Sequence, residues 1–248
     1  MFPIRDHNPS GRTPFVTYAL LAANIVIFVM YWSAYPDDRA LYRFFLEWGM
    51  VPGAITSGVN QHTIFTSMFL HGGWMHLAGN MLFLWIFGDN IEDKMGHVLY
   101  LLFYLACGVG AALIHVAADP YSTVPTVGAS GAIAGVMGGY LLLFPKARVD
   151  IFFFFIIFFR IIPVPAWITL CAWLALQFFG GFSTPSPGGG GVAYWAHIGG
   201  FAVGVLLAIP AFLRLGGTEF WQRTHGAPPH PEAKYKYVRT AIPRVTRR

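Results

Sequence analysis

Apolar positions along this chain come in long blocks instead of alternating with polar ones. Six blocks reach or approach the roughly 20 residues that an α-helix needs to cross the hydrocarbon core of a bilayer. They lie near 14–35, 64–88, 98–118, 126–144, 164–182 and 193–213. The pattern predicts an all-α, polytopic membrane protein, a six-transmembrane-helix bundle over 14–213. A short polar segment, 1–13, precedes it. The first block is long enough to span, so it reads as a helix and not as a cleavable signal. The tail, 214–248, is polar, basic and proline-containing. It reads as disordered, with a modest attraction to anionic lipid.

Three connecting segments have their own patterns. In 36–63, Leu41, Phe44, Phe45, Leu46 and Trp48 have the spacing of a short amphipathic helix lying in the interface. Residues 151–162 are apolar but too short to span, and Pro163 and Pro165 follow. This run is expected to be an interfacial or re-entrant piece between two helices. The run Ser183 to Gly191 ends in four consecutive glycines. Such a segment has little conformational preference and is expected to act as a mobile lid.

Composition agrees with a membrane chain. Of 248 residues, 56% are hydrophobic and 11% charged, against about 25% charged in a soluble domain, and mean hydropathy is +0.55. Basic residues are placed unevenly. With the N-terminus inside, the inner segments carry fourteen lysines and arginines and the outer loops only Arg39 and Arg43. The positive-inside rule therefore puts both termini in the cytoplasm. A bacterial inner membrane is the expected location, and no nucleic-acid partner is expected. Cys107 and Cys171 both fall in apolar blocks. They read as small buried packing residues, not as a disulfide framework or metal site. No cofactor is expected.

Polar groups inside lipid-length segments are costly unless they pair, so they mark a candidate site. Helix two opens with His71-Gly-Gly-Trp-Met-His76-Leu-Ala-Gly-Asn80, helix four with Gly128-Ala129-Ser130-Gly131, and helix six with Ala196-His197-Ile-Gly199-Gly200. All three helices start on the outer side, so these polar residues share one depth. Ser130 is the nucleophile candidate and His197 its general base. His76 and Asn80, four apart on one helix face, are candidate oxyanion donors beside the Ser130 backbone N–H. His71 reads as structural. Gly128 and Gly131 allow close approach to Ser130. Gly131, Gly135 and Gly139 on helix four, and Gly200 and Gly204 on helix six, have the spacing of closely packed membrane helices. No carboxylate lies inside a span, and Asp119 is a weak candidate for orienting the histidine. A Ser–His dyad is expected. Tyr194 and Trp195 read as an interfacial anchor.

These three motifs, in this order, resemble the rhomboid intramembrane serine proteases. The resemblance covers roughly residues 14 to 213. It implies a six-helix fold with a water-filled cavity opening outward. It also implies Ser130 as nucleophile, His197 as base, and His76 and Asn80 in the oxyanion hole. The implied substrates are single-span membrane proteins within the lipid bilayer, cut in the outer half of their spans. Two departures stand out. Some rhomboids have a tyrosine four residues after the serine, packed on the histidine, where this chain has Ala134. Some have a Trp-Arg pair in the first loop, which this chain lacks. Two other readings compete: a catalytically inactive rhomboid-like membrane-protein binder, and a histidine-lined metal transporter using His71, His76 and His197. The missing i,i+4 histidine pair and the lack of carboxylate ligands weigh against the metal.

Overall fold

In lipid the backbone must satisfy its own hydrogen bonds, so long apolar runs become helices. The computed structural model describes residues 2–35, 37–155, 158–183, 192–224 and 226. In chain order the elements are β1 (Phe2–Asp6), α1 (Phe15–Ala34), α2 (Asp38–Trp48), α3 (Pro52–Thr56), α4 (Thr63–Thr66) with a 3-10 turn (Ser67–Phe69), and α5 (Trp74–Met95). They continue with α6 (His97–Ala118), α7 (Ser130–Leu143), β2 (Arg148–Phe155), β3 (Phe158–Pro165), α8 (Ala166–Ser183), α9 (Tyr194–Arg214) and α10 (Thr218–Thr224). The bundle helices α1 and α5 to α9 correspond to the six apolar blocks. Four of them, α1, α6, α8 and α9, are long and apolar enough to cross a membrane by themselves.

The other two differ from the sequence expectation. The block at 64–88 is broken at 70–73: the 3-10 turn ends at an extended Leu70, and α5 restarts after Gly73. It then runs on through charged residues to Met95. Those charges do not end α5 because they have partners. The buried Glu92 carboxylate accepts from the Val16 and Thr17 N–H groups (2.9 and 2.8 Å) and the Thr17 hydroxyl (2.7 Å), and pairs with His97 Nδ1 (2.6 Å). These are the free N–H groups at the positive end of α1. The block at 126–144 yields only the 14 residues of α7. That is about 21 Å of helix, less than the roughly 30 Å hydrocarbon core. Residues 131–140 and Leu143 are buried, so α7 is the central helix and its first residue lies inside the bundle.

Glycine makes that burial possible. A Cβ on Gly200 would collide with the Gly131 carbonyl, one on Gly204 with the Gly135 backbone, and one on Gly138 with the Phe201 carbonyl. α7 and α9 therefore meet backbone against backbone over about two turns. Gly138 carries the close seam there, while Gly139 faces Phe103 and Ala208.

Residues 151–162 are not a re-entrant piece. Residues 151–155 and 158–162 belong to strands β2 and β3, which pair antiparallel. Aromatic and β-branched residues favour strands, and Pro163 and Pro165 are tolerated because β3 is the edge of the sheet. The N-terminal segment supplies the third strand, with β1 antiparallel to β2. The helical bundle thus carries a small sheet that the all-α expectation did not include. The 214–248 tail also begins in order. Phe220 of α10 is buried, and Trp221 donates its indole N–H to the Leu142 carbonyl (3.0 Å). The rest of the tail and the expected lid at 184–191 lie outside the described residues. Cys107 is buried as expected, but Cys171 is exposed.

Candidate active site

Three helix N-termini converge at one end of the bundle. Ser130 is the first residue of α7, His197 the fourth of α9, and His76 and Asn80 lie in the first two turns of α5. Ser130 Oγ and His197 Nε2 are 2.8 Å apart. The other ring nitrogen, Nδ1, is 2.8 Å from Gln177 Oε1 on α8. Gln177 Nε2 donates to the Trp173 carbonyl (3.2 Å), which can only accept. That bond fixes the amide so that its oxygen faces the imidazole. Nδ1 must then carry the proton, and Nε2 offers its lone pair to the Ser130 hydroxyl. The Trp173 ring lies against His197, with centroids 5.6 Å apart and planes at 35°.

Gln177 and Trp173 were not among the residues the sequence singled out. They supply the support that Ala134 cannot. A signal was present: Gln177 is a polar residue inside an apolar block, as Ser130 is. Asp119, the carboxylate considered for this task, instead caps the end of α6.

The second group of residues surrounds Gly128. Gly128 adopts φ +138°, where side chains are strained, and donates its N–H to the Ser67 carbonyl (2.9 Å). A Cβ there would sit 2.9 Å from His76 Nε2 and 3.3 Å from Ser130 Oγ. Glycine therefore keeps open a space bordered by both atoms. The Gly72 N–H donates to His76 Nδ1 (3.3 Å), which leaves the His76 proton on Nε2, facing that space. Asn80 is buried, and its Nδ2 has no partner among the described residues. The N–H groups in the first turn of α7 have no intrahelical acceptor. His76 Nε2–H and the first N–H groups of α7 are thus donors without acceptors beside the serine.

His71 packs edge-on against His76 at 5.1 Å, with its backbone held by Tyr31. The Tyr31 hydroxyl donates to the His71 carbonyl (2.6 Å) and accepts from its N–H (2.8 Å). Tyr31 also stacks on Phe44 at 5.0 Å. The first loop, without a Trp-Arg pair, is held to α1 by these aromatic contacts. The amphipathic helix expected there is α2, capped by Asp37 (2.8 Å to the Ala40 N–H). Gly131 and Gly200 sit at the top of the α7–α9 seam, directly below the serine. Tyr194 packs on Gly180, and Trp195 stands edge-on to Phe182 at 5.3 Å, so both residues join α9 to α8.

Residues 60–214 match the Rhomboid domain family. Among similar curated proteins, the mitochondrial Rhomboid protein 1 of Saccharomyces cerevisiae is 30% identical over 197 residues, 77% of this chain and 51% of that protein. The mitochondrial RHOMBOID-like protein 12 of Arabidopsis thaliana is 28% identical over 208 residues, 77% of this chain and 56% of that one. The Rhomboid protease GluP of Bacillus subtilis is 32% identical over 130 residues, 52% of this chain and 24% of that one. The chain thus spans about half or less of the length of these relatives.

Proposed function

Because the chain belongs to the rhomboid family, we propose that it is an intramembrane serine endopeptidase that cuts single-span membrane proteins in or near the outer half of their transmembrane segments. The observation that carries this reading is the relay from Gln177 Oε1 through His197 to Ser130 Oγ, with 2.8 Å at each step. A hydroxyl facing an unprotonated Nε2, in a space lined with free donors, has the parts that acyl transfer requires.

In this mechanism Ser130 Oγ attacks the scissile carbonyl carbon while His197 Nε2 takes the hydroxyl proton. The new oxyanion occupies the space beside Gly128 and accepts from His76 Nε2–H, Asn80 Nδ2–H and the Ser130 N–H. The imidazolium keeps its Nδ1 proton on Gln177 and delivers the Nε2 proton to the leaving amine. Water then attacks the acyl-enzyme with His197 again as base. A helical substrate hides its amides in i→i−4 bonds, so it must unwind before attack.

Orientation follows from charge. Arg5, Arg12, Lys94, Lys146, Arg148, Arg160 and Arg214 gather at the end opposite the candidate site, and Arg39 and Arg43 lie at the site's own end. Both termini are then cytoplasmic, the membrane domain covers 14–213, and the dyad lies in the outer half. What stands for location is a multi-pass membrane protein. The relatives carry mitochondrial names beside a bacterial one, which removes support for a bacterial inner membrane in particular.

Metal transport is disfavoured by the occupation of both His197 nitrogens. The inactive-binder reading has no feature that favours it, since serine, base and donors are all in place. Incubating the purified protein in liposomes with a tagged single-span protein separates the two. Wild type yields one cut in the outer half of the span, and Ser130→Ala and His197→Ala yield none while remaining folded. Equal cleavage by either variant removes the dyad, and no cleavage of a varied substrate panel by wild type favours the binder.

A further inference from the structure

We propose that Phe154, Phe159 and Ile161, on the outer parts of strands β2 and β3, insert into the lipid leaflet at the end of the bundle opposite the candidate site, as a second membrane contact besides the spanning helices. Among the described residues, β1 pairs with β2 from Val149 to Phe152. Beyond Phe152 the described pairing is between β2 and β3 alone, with Phe153 opposite Arg160 and Phe154 opposite Phe159. An isolated two-stranded ribbon is at best marginal in water, and a water-facing sheet surface alternates to polar residues. Neither condition suits water here.

On the face turned to the bundle, Val149 and Ile151 are buried, and Phe153 and Val164 pack on the main core. On the opposite face, Phe154, Phe159 and Ile161 are 65%, 73% and 51% exposed. Polarity on that face changes along the hairpin. At its base Asp150 is paired with Arg5 (2.7 Å) and His7 (2.8 Å), and only the outer part is apolar.

The geometry selects lipid as the occupant. Strand β3 runs directly into α8, whose first-turn Trp167 and Ile168 are exposed on a helix long enough to cross the membrane. The apolar face of the hairpin is therefore continuous in the chain with a lipid-facing surface. Lys146 and Arg148 at the hairpin base are exposed, as is Arg160 further along. This arrangement suits anionic headgroups, which the long Arg160 side chain can reach from an apolar setting.

Insertion can be read without reference to proteolysis. Single cysteines replace Phe154, Phe159 or, as a control on the same side, the exposed Glu219, all in a Cys107→Ala, Cys171→Ala background. Each carries a nitroxide label in full-length protein reconstituted into phosphatidylcholine–phosphatidylglycerol vesicles. Labels at 154 and 159 are expected to be relaxed strongly by oxygen, which concentrates in lipid, and weakly by a water-soluble nickel chelate, with the reverse at 219. Nickel accessibility at 154 and 159 equal to that at 219 places the hairpin in water and overturns the proposal. Protection from both reagents means that protein covers it, through a second copy or another chain, and overturns it equally. A folded Phe154→Ser, Phe159→Ser variant, labelled at the exposed Ile161 through Ile161→Cys, is expected to gain nickel accessibility over a label at 161 in an otherwise unaltered hairpin. No gain counts against insertion.

Discussion

α9 is held differently on its two sides. Against α7 it meets backbone to backbone through Gly131, Gly135, Gly200 and Gly204. Against α8 it meets side chains, and α8 itself buries only Ala166, Leu170 and Gln177. The first contact sets where Ser130 and His197 stand, and the second sets how the imidazole is turned. Position thus depends on atoms that have no room to shift, and orientation on one amide and one indole. Damage to the seam should be all-or-none, whereas damage on the α8 side should be graded.

The seam gives the largest effect. Gly204→Val puts atoms into the Gly135 backbone. It is expected to abolish cleavage and to lower stability by about 3 kcal/mol, measured by thermal unfolding in detergent. Gly79→Val, where a Cβ meets open space, is the control and should retain activity. Equal tolerance at both positions would break the distinction. The donors on α5 come next. Asn80→Ala should lower kcat by roughly 10²–10³ with KM little changed, because the oxyanion exists mainly in the transition state. A KM effect alone would move Asn80 into substrate binding.

The α8 side is smaller and tunable. Gln177→Leu removes one hydrogen bond to an imidazolium, about 1.5–3 kcal/mol or roughly ten- to hundredfold in kcat. Gln177→Glu restores the acceptor and adds a charge that favours imidazolium, so the acid limb of kcat/KM moves to higher pH. Identical pH profiles for wild type and Gln177→Glu would reduce Gln177 to packing.

The smallest effect lies at the opposite end of α7. There Tyr140 donates to Asp6 (2.7 Å), tying β1 to the helix that bears Ser130. Burial, reinforced by the nearby Asp89 charge, raises the Asp6 carboxyl to about 7. The folded state then holds a proton that the unfolded chain releases near pH 4, so stability falls as pH rises from about 4 to 7. Asp6→Asn keeps an acceptor for Tyr140 and should flatten that decline, giving a melting temperature a few degrees higher at pH 8. An unchanged slope would show that Asp6 is solvated.

The bundle and most of the candidate site were legible in the sequence for one reason: lipid makes polar residues conspicuous. Ser130, His197, His76 and Asn80 stand out in apolar blocks, and all four lie at the starts of α5, α7 and α9. What stayed hidden depended on contacts between blocks. A short Phe- and Ile-rich run is ambiguous between strand and helix, and pairing of its two halves with each other and with residues 2–6 decides for strand. Hydropathy could not show that α7 is too short to span, because burial in protein and burial in lipid look alike. Gln177 was as visible as Ser130 but belonged to no motif. Its role emerged only when α8 was placed beside α9.

Activation of Ser130 by His197 can be read most directly by covalent capture. Wild-type protein in liposomes is treated with a fluorophosphonate, digested and mapped by mass spectrometry. The account predicts one adduct, on Ser130, absent in Ser130→Ala, abolished in His197→Ala and slowed in Gln177→Leu. An unmodified Ser130 in folded wild-type protein, or an adduct formed at the same rate in His197→Ala, would contradict it.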